Sequence, residues 1–172
     1  MLIGLGHIAR TGKSTAAHIL EDEGFTVLSF AEPVRQMAYD SMPLVRYQVD
    51  RNGWIDAKRV PEIRAALQNL GASIRKNLPD ALIDAVFNEM HYGQDYVIDD
   101  VRFLDEAQII QRCGGHVFRV DRPGVSPVNY HESEIQLAGW SGGDGVIDNN
   151  GSVDDLAVKL KQVVSDIRRV GG

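Results

Sequence analysis

Residues Leu2–Thr15 read LIGLGHIARTGKST: an apolar run, then a loop that ends Gly12-Lys13-Ser14-Thr15. A helical pattern follows at once in Ala16, Ala17, Ile19 and Leu20. Strand, loop, Gly-Lys-Ser and helix in that order form a phosphate-binding loop, where backbone N–H groups and a helix N-terminus face negative charge. Lys13 would reach the β/γ-phosphates as a point charge, and Ser14 would offer its hydroxyl to Mg²⁺. Ile8, Ala9, Arg10, Thr11, Gly12, Lys13, Ser14 and Thr15 are therefore the candidate seat of the ATP phosphates. The pattern G-x-x-x-x-G-K-[ST] is imperfect here. It asks for glycine where the chain has His7, and Gly6 sits one place early. The competing reading is an ordinary strand-to-helix turn, with Gly12 supplying left-handed backbone and Ser14 capping the helix.

The rest of the chain must support the loop, and its bulk properties bound what it can be. Its 172 residues suggest one domain with a proper core, and 44% hydrophobic and 24% charged residues are ordinary globular values. A net charge of −6 argues against a protein that coats nucleic acid, so any clustered arginines become informative. Cys113 is the only cysteine, which excludes an intrachain disulfide or a cysteine zinc site. At the end of an expected helix it reads as a buried, inert thiol. Met1 leads into a strand without a basic start, which predicts no signal peptide, and no apolar run approaches membrane-spanning length. A cytoplasmic protein with no membrane partner is expected.

Outward from the loop, strands and helices alternate. Strands are expected over 2–6, 25–30, 95–100, 116–121 and 145–148, and helices over 13–23, 31–41, 61–71, 79–91, 105–113 and 152–169. Gly24 stops the first helix, and Ser152 with Asp155 makes an S-x-x-D start signal for the last. The stretch 42–60 reads as irregular and polar, with a turn at Arg51-Asn52-Gly53. Residues 124–141 read as a loop-rich insert. The alternation implies an α/β fold of three layers around a mostly parallel sheet. In such sheets ligands sit at the carboxyl ends of the strands. That edge carries the loop, Ser29-Phe30, Asp99-Asp100 and Asp121-Arg122.

Three groups stand out beyond the loop. Asp100-Val101-Arg102 follows an apolar strand, and an acid there can order Mg²⁺ and its waters while Arg102 clamps a phosphate. Strand alternation points one of Asp99 and Asp100 inward; Asp100 is preferred, and Asp99 is the competing carboxylate. On the helix that starts at Pro61, Ile63, Leu67, Leu70 and Ile74 form an apolar stripe. Arg64, Gln68, Gly71 and Arg75 follow the same spacing one position later. They form an adjoining polar stripe, in which Gly71 leaves a gap for a ligand. The competing reading is a solvated helix face. Arg119, Arg122, His131, Glu132, Ser133 and Glu134 lie in or beside the insert, which has the character of a lid. Asn149 either closes a turn or lies near a nucleotide base.

The segments LIGLGHIARTGKSTAA, SFAEPVRQMAY, RNGWIDAKRVPEIRAALQNLG, YVIDDVRFLDEAQII, GGHVFRVDRPG, NYHESE and VIDNNGSVDDL together resemble the bacteriophage deoxynucleoside monophosphate kinases. That family is a branch of the P-loop nucleoside monophosphate kinases. The resemblance covers nearly the whole chain, and DVRF-x-[DN]-E-A followed by GG-x-V-x-R-V-x-RPG is its most specific part. It implies a single kinase domain over 1–172, with a helical acceptor-binding segment about 42–91 and a lid-like insert about 122–145. It implies ATP-dependent phosphorylation of a deoxynucleoside monophosphate with Mg²⁺. Lys13, Asp100 and Arg102 would be catalytic, and Ser14 and Asp100 would serve the metal, partly through water. Arg122 and Asn149 would join the loop around ATP; Arg64, Gln68, Gly71, Arg75 and Phe30 would hold the acceptor. A homodimer in the cytoplasm of an infected host is compatible with it. The chain departs from the family at His7, at Ser14 where many members have Asp, at Ala72 where Thr is common, at Arg75-Lys76 where Gly-Arg is common, and at Ile83 or Asp84, near a position that is often Trp. Another small-molecule kinase, acting on dephospho-coenzyme A or AMP, and a non-catalytic nucleotide-binding module are the alternatives.

Overall fold

Five runs of aliphatic residues pair into one parallel sheet: β1 (Leu2–Gly6), β2 (Thr26–Leu28), β3 (Tyr96–Val101), β4 (His116–Asp121) and β5 (Gly145–Asp148), in the order β2-β3-β1-β4-β5. In the computed structural model residues 1–126, 136–137 and 140–170 are described. Most of the 124–141 insert, including His131, Glu132, Ser133 and Glu134, lies outside them. Contacts divide the chain into two units, residues 1–29 with 91–172, and residues 30–90.

The first unit is built around β1, the central strand. Ile3 lies opposite Val97 on one side and His116 on the other, while Gly6 meets Val101 and Arg119. Side chains on both faces of such a strand must be apolar. Ile3, Leu5, Val97 and Val120 are indeed at or below 1% exposure, packed with Ala16, Ala17 and Leu20 of α1 (Lys13–Asp22). Leu156, Leu160 and Val164 of the C-terminal helix (Val153–Val170) complete that face. On the other face lies α6 (Leu104–Arg112), so close that a Cβ on Gly4 would stand 2.8 Å from Ile110 Cδ1. Glycine at that position sets the spacing between sheet and helix. The result is the expected three-layer α/β fold with a parallel sheet.

Capping follows the sequence. Gly24 adopts φ 94° beyond α1, and its N–H donates to Glu21 O. At the start of the last helix, here α7, the Asp155 carboxylate accepts from Ser152 N at 2.9 Å and Asp155 N donates to Ser152 Oγ at 3.1 Å.

The second unit is helical: α2 (Glu32–Ser41), α3 (Pro43–Ala57), α4 (Pro61–Asn77) and α5 (Ala81–Phe87). The stretch expected to be irregular is α3, and this corrects the reading of 42–60. Pro43 presets the first turn, and Val45 and Ala57 bury into a cluster with Ala38 and Ile63. Tertiary burial thus outweighs a polar composition. The Arg51-Asn52-Gly53 signal is real but local: Gly53 breaks the helix at φ 73°, ψ 169°, and the helix resumes. Cys113 is also corrected. It caps α6 beyond the buried Ala107 and Ile110, and it is exposed.

Candidate active site

β1 ends at Gly6 and α1 begins at Lys13, so the loop between them spans one sheet end and one helix start. Gly12 has φ 100°, and a Cβ there would lie 2.3 Å from Asn149 Nδ2. Its backbone conformation favours glycine, and a larger residue would also displace the Asn149 amide. Asn149 Nδ2 donates to Thr11 O at 2.8 Å, so this residue ties the loop to the end of β5. Within the loop Ile8 and Thr11 are buried and Arg10, at φ 69°, is exposed, as is Thr15 in the first turn of α1.

Lys13 is 6% exposed, and its ammonium turns back onto the loop, donating to His7 O at 3.0 Å and to Ile8 O. A cation enclosed by carbonyls at a helix N-terminus is poised for anionic oxygens, which offer stronger charge-assisted bonds than neutral carbonyls. Ser14 does not cap α1, as the ordinary-turn reading would have it. The cap position is Gly12, and Ser14 Oγ donates to Asp99 Oδ2 at 3.0 Å. Asp100 accepts instead from Ser29 Oγ at 2.7 Å. The acid preferred for the Ser14 side was Asp100; the acid beside Ser14 is Asp99. The pairing of β1 with β3 shifts register between Gly4 and Gly6, so alternation counted along β3 alone does not say which acid meets the loop.

Behind these acids, Glu106 is 1% exposed and accepts from Arg102 N at 2.7 Å and Phe103 N at 3.0 Å. The buried carboxylate fixes the turn that carries Asp100 and Arg102 into α6. At the end of β4, Arg119 grips Asp121 in a two-point bond, Nε to Oδ1 at 2.9 Å and Nη2 to Oδ2 at 2.8 Å. Asp121 Oδ1 lies 3.4 Å from His7 Nε2. Arg122, one residue on, is exposed. Asp99 enters the sequence only as the carboxylate competing with Asp100, and Ser29, Glu106 and Asp121 carry no role there. Only their places at strand ends or before a helix could have marked them.

Among the described residues no group of three or more His, Cys, Asp or Glu could hold a metal ion. A hard cation that keeps several waters needs no such cage; one hydroxyl, one carboxylate and the substrate phosphates suffice for Mg²⁺. The Ser14–Asp99 pair, all oxygen and next to Lys13, fits that donor set.

The residues expected to hold the acceptor all belong to the helical unit. Arg64, Gln68, Gly71 and Arg75 are half-buried on α4, whereas Ala65, Asn69, Ala72 and Lys76 are exposed. The polar stripe is thus not the solvated face of the helix. Beside Gly71 stands Val34 of α2, 3.8 Å from where a Cβ would be, so an alanine would fit there. Phe30 is buried at 2% exposure. No helix among the described residues is long and apolar enough to cross a membrane.

A lysine closed into a glycine-bounded loop at the end of a central parallel strand defines a P-loop nucleotide-binding protein. The solved dephospho-CoA kinase from Campylobacter jejuni has the same fold: TM-score 0.60 over 99% of this chain and 98% of that one, at 15% identity. The sequence model of deoxynucleotide monophosphate kinases matches residues 57–160, more than half of the chain. A protein of Acanthamoeba polyphaga mimivirus, provisionally named a deoxynucleotide monophosphate kinase, is 29% identical over 96% of this chain and 95% of its own length. The deoxynucleotide monophosphate kinase of Escherichia phage RB69 is 28% identical over 82% of this chain, which spans 59% of that protein. The chain belongs to the deoxynucleotide monophosphate kinase family.

Proposed function

We propose that the protein transfers the γ-phosphoryl group of ATP to a deoxynucleoside monophosphate, giving ADP and the deoxynucleoside diphosphate. The observation that carries this reading is the enclosed Lys13 ammonium, held on loop carbonyls and ready for phosphate oxygens, in a chain whose family acts on such acceptors. An oxygen of the acceptor phosphate attacks the γ-phosphorus in line; the bond to the bridging oxygen of ADP breaks, and ADP leaves. A phosphate nucleophile is already anionic, so no side-chain base is required. The N–H groups of Ile8–Thr15 and the start of α1 hold the donor phosphates. Lys13 moves from carbonyl to phosphate oxygen and stabilises charge that grows in the transition state.

Ser14 and Asp99 would hold Mg²⁺ and its waters, and the ion would neutralise charge on the donor phosphates when bound. Asp100, fixed by Ser29, and Arg102, fixed through its backbone by Glu106, serve the transferring group. Arg64 and Arg75 bind the acceptor phosphate, Gln68 reads a base edge through its amide, and Gly71 and Phe30 line the acceptor's place. Arg122 and Asn149 complete the donor side, Asn149 by bracing Thr11. A steady-state panel tests the reading: ATP with each deoxynucleoside monophosphate, with AMP, and with dephospho-coenzyme A. Turnover with at least one deoxynucleotide and none with dephospho-coenzyme A is expected. The reverse pattern overturns the proposal.

A further inference from the structure

His7 occupies a position where the loop pattern wants glycine, and the backbone shows why. Its φ is 110°, outside the range L-residues ordinarily adopt. A non-glycine residue persists in such a conformation only when its surroundings hold it there. Its side chain identifies one such hold. Imidazole Nε2 is 3.4 Å from Asp121 Oδ1, and Asp121 is itself fixed by both bonds from Arg119. The placement follows from the sheet. Gly6, the residue before His7, is paired with Arg119 on the neighbouring strand, and residues 119 and 121 project from the same face of β4.

The consequence reaches Lys13. His7 O accepts from Lys13 Nζ, so the orientation of the His7 peptide sets where the ammonium rests. The backbone of Asp121 also takes part at the far end of the loop. Its carbonyl accepts from Asn149 N at 2.7 Å, and Asn149 Nδ2 donates to Thr11 O. The start and the end of the phosphate loop are thus both referred to one residue at the end of β4.

We infer that Asp121 is a positioning residue of the donor site, which holds His7 in the glycine-like conformation and through it sets the loop for ATP. The inference rests on the donor-site reading above. Asp121 touches no reacting atom; it acts through His7.

The test is ATP affinity, measured directly by calorimetry on the full chain without acceptor, for wild type, Asp121→Asn, His7→Gly and the double variant. Asp121→Asn should weaken ATP binding by about threefold to tenfold, the scale of a coupled contact pair, with turnover at saturating ATP little changed. His7→Gly should bind ATP within about twofold of wild type, since glycine takes φ 110° unaided. The decisive result is suppression: in the His7→Gly background, Asp121→Asn should have no effect. Equal losses in both backgrounds would overturn the inference, as would a large loss in His7→Gly alone, which would mean that the imidazole binds nucleotide itself. Should Asp121→Asn fail to fold, Arg119→Gln, which frees the Asp121 carboxylate, must show a weaker version of the same suppression. Wild-type protein that does not bind ATP at all would overturn the donor-site reading together with this one. Wild-type binding without suppression overturns this one only.

Discussion

The sheet unit and the helical unit reach order by different means. In the sheet unit, polar groups near the loop carry named partners: Lys13 on His7 O, Ser14 on Asp99, Ser29 on Asp100, Asn149 on Thr11 O and Arg119 on Asp121. Long-range strand pairing brings these residues together, so one displaced group disturbs several. The helical unit is made of local contacts around a small cluster, with Leu44, Tyr47 and Ile55 of α3 left exposed at 53%, 55% and 73%. Helical contacts are short-range in sequence and form fast in folding. A preorganised loop suits charge stabilisation, which costs no reorganisation at the moment of transfer.

The largest expected effect tests the sheet unit. Lys13→Ala should lower turnover by about a hundredfold or more, the scale for losing a charge stabiliser in the transition state. The far-ultraviolet circular dichroism spectrum should match wild type, which separates loss of chemistry from loss of the fold. Turnover near wild type would show that the loop is not the donor site, and the contrast between the units would lose its functional meaning.

Arg64→Ala tests the other half. Loss of a charge-assisted contact to the acceptor should raise the acceptor KM by about tenfold to a hundredfold, equivalent to about 1.5–3 kcal/mol. ATP affinity should hold. Gln68→Ala should change the ranking of bases more than the rate, since an amide offers one donor side and one acceptor side. Kinetics with several deoxynucleotides at saturating ATP check both, and unchanged acceptor constants would return α4 to a packing role.

Asp99 and Asp100 separate two jobs on one strand end. Asp99→Asn should raise the Mg²⁺ concentration needed for half-maximal rate, because Asp99 is the acid at Ser14. Asp100→Asn should instead lower the rate at saturating Mg²⁺, by about tenfold or more if it acts on the transferring group. A Mg²⁺ titration of both variants decides. A larger shift in Asp100→Asn would restore it as the acid on the metal.

The same contrast governs what the chain could say unaided. The loop was readable because phosphate binding demands fixed residue types at fixed spacing, and the order of strands and helices followed from periodicity. The α4 stripes were readable for the same reason: 3.6-residue spacing sorts Arg64 and Gln68 from Ala65 and Asn69. What escaped depends on neighbours distant in sequence. Helix α3 forms because Val45 and Ala57 find Ala38 and Ile63, which no local propensity announces. The partner of Ser14 depends on how β3 registers against β1. The brace from Asp121 to His7 spans strands that are remote in the chain, although the unusual residue at position 7 was visible from the start.

The smallest expected effect compares one ion pair from each unit. In the sheet unit, Asp144 accepts from Val117 N at 2.8 Å, from His116 Nδ1 at 3.0 Å and from Gln111 Nε2 at 3.3 Å. Partial burial pushes its carboxyl up, but the bond from Val117 N–H and those from His116 and Gln111 outweigh it, leaving the group below its ordinary 3.8. A depressed folded value means that the ionised form stabilises the fold. That contribution is complete above the unfolded value and disappears as pH falls through the folded one. In the helical unit, Asp56 pairs with Arg59 at 2.8 Å, with side chains 55% and 76% exposed. Such a pair contributes next to nothing. Asp144→Asn should therefore lower the thermal midpoint at neutral pH by a few degrees at most, about 1 kcal/mol or less once its partial exposure is allowed for. Its difference from wild type should narrow as pH falls below about 4. Asp56→Asn should match wild type throughout. Melting curves over that pH range check the pair. Equal effects at the two sites, or a gap for Asp144→Asn that does not narrow in acid, would mean that the partners around β4 stabilise no more than an exposed pair at the end of α3.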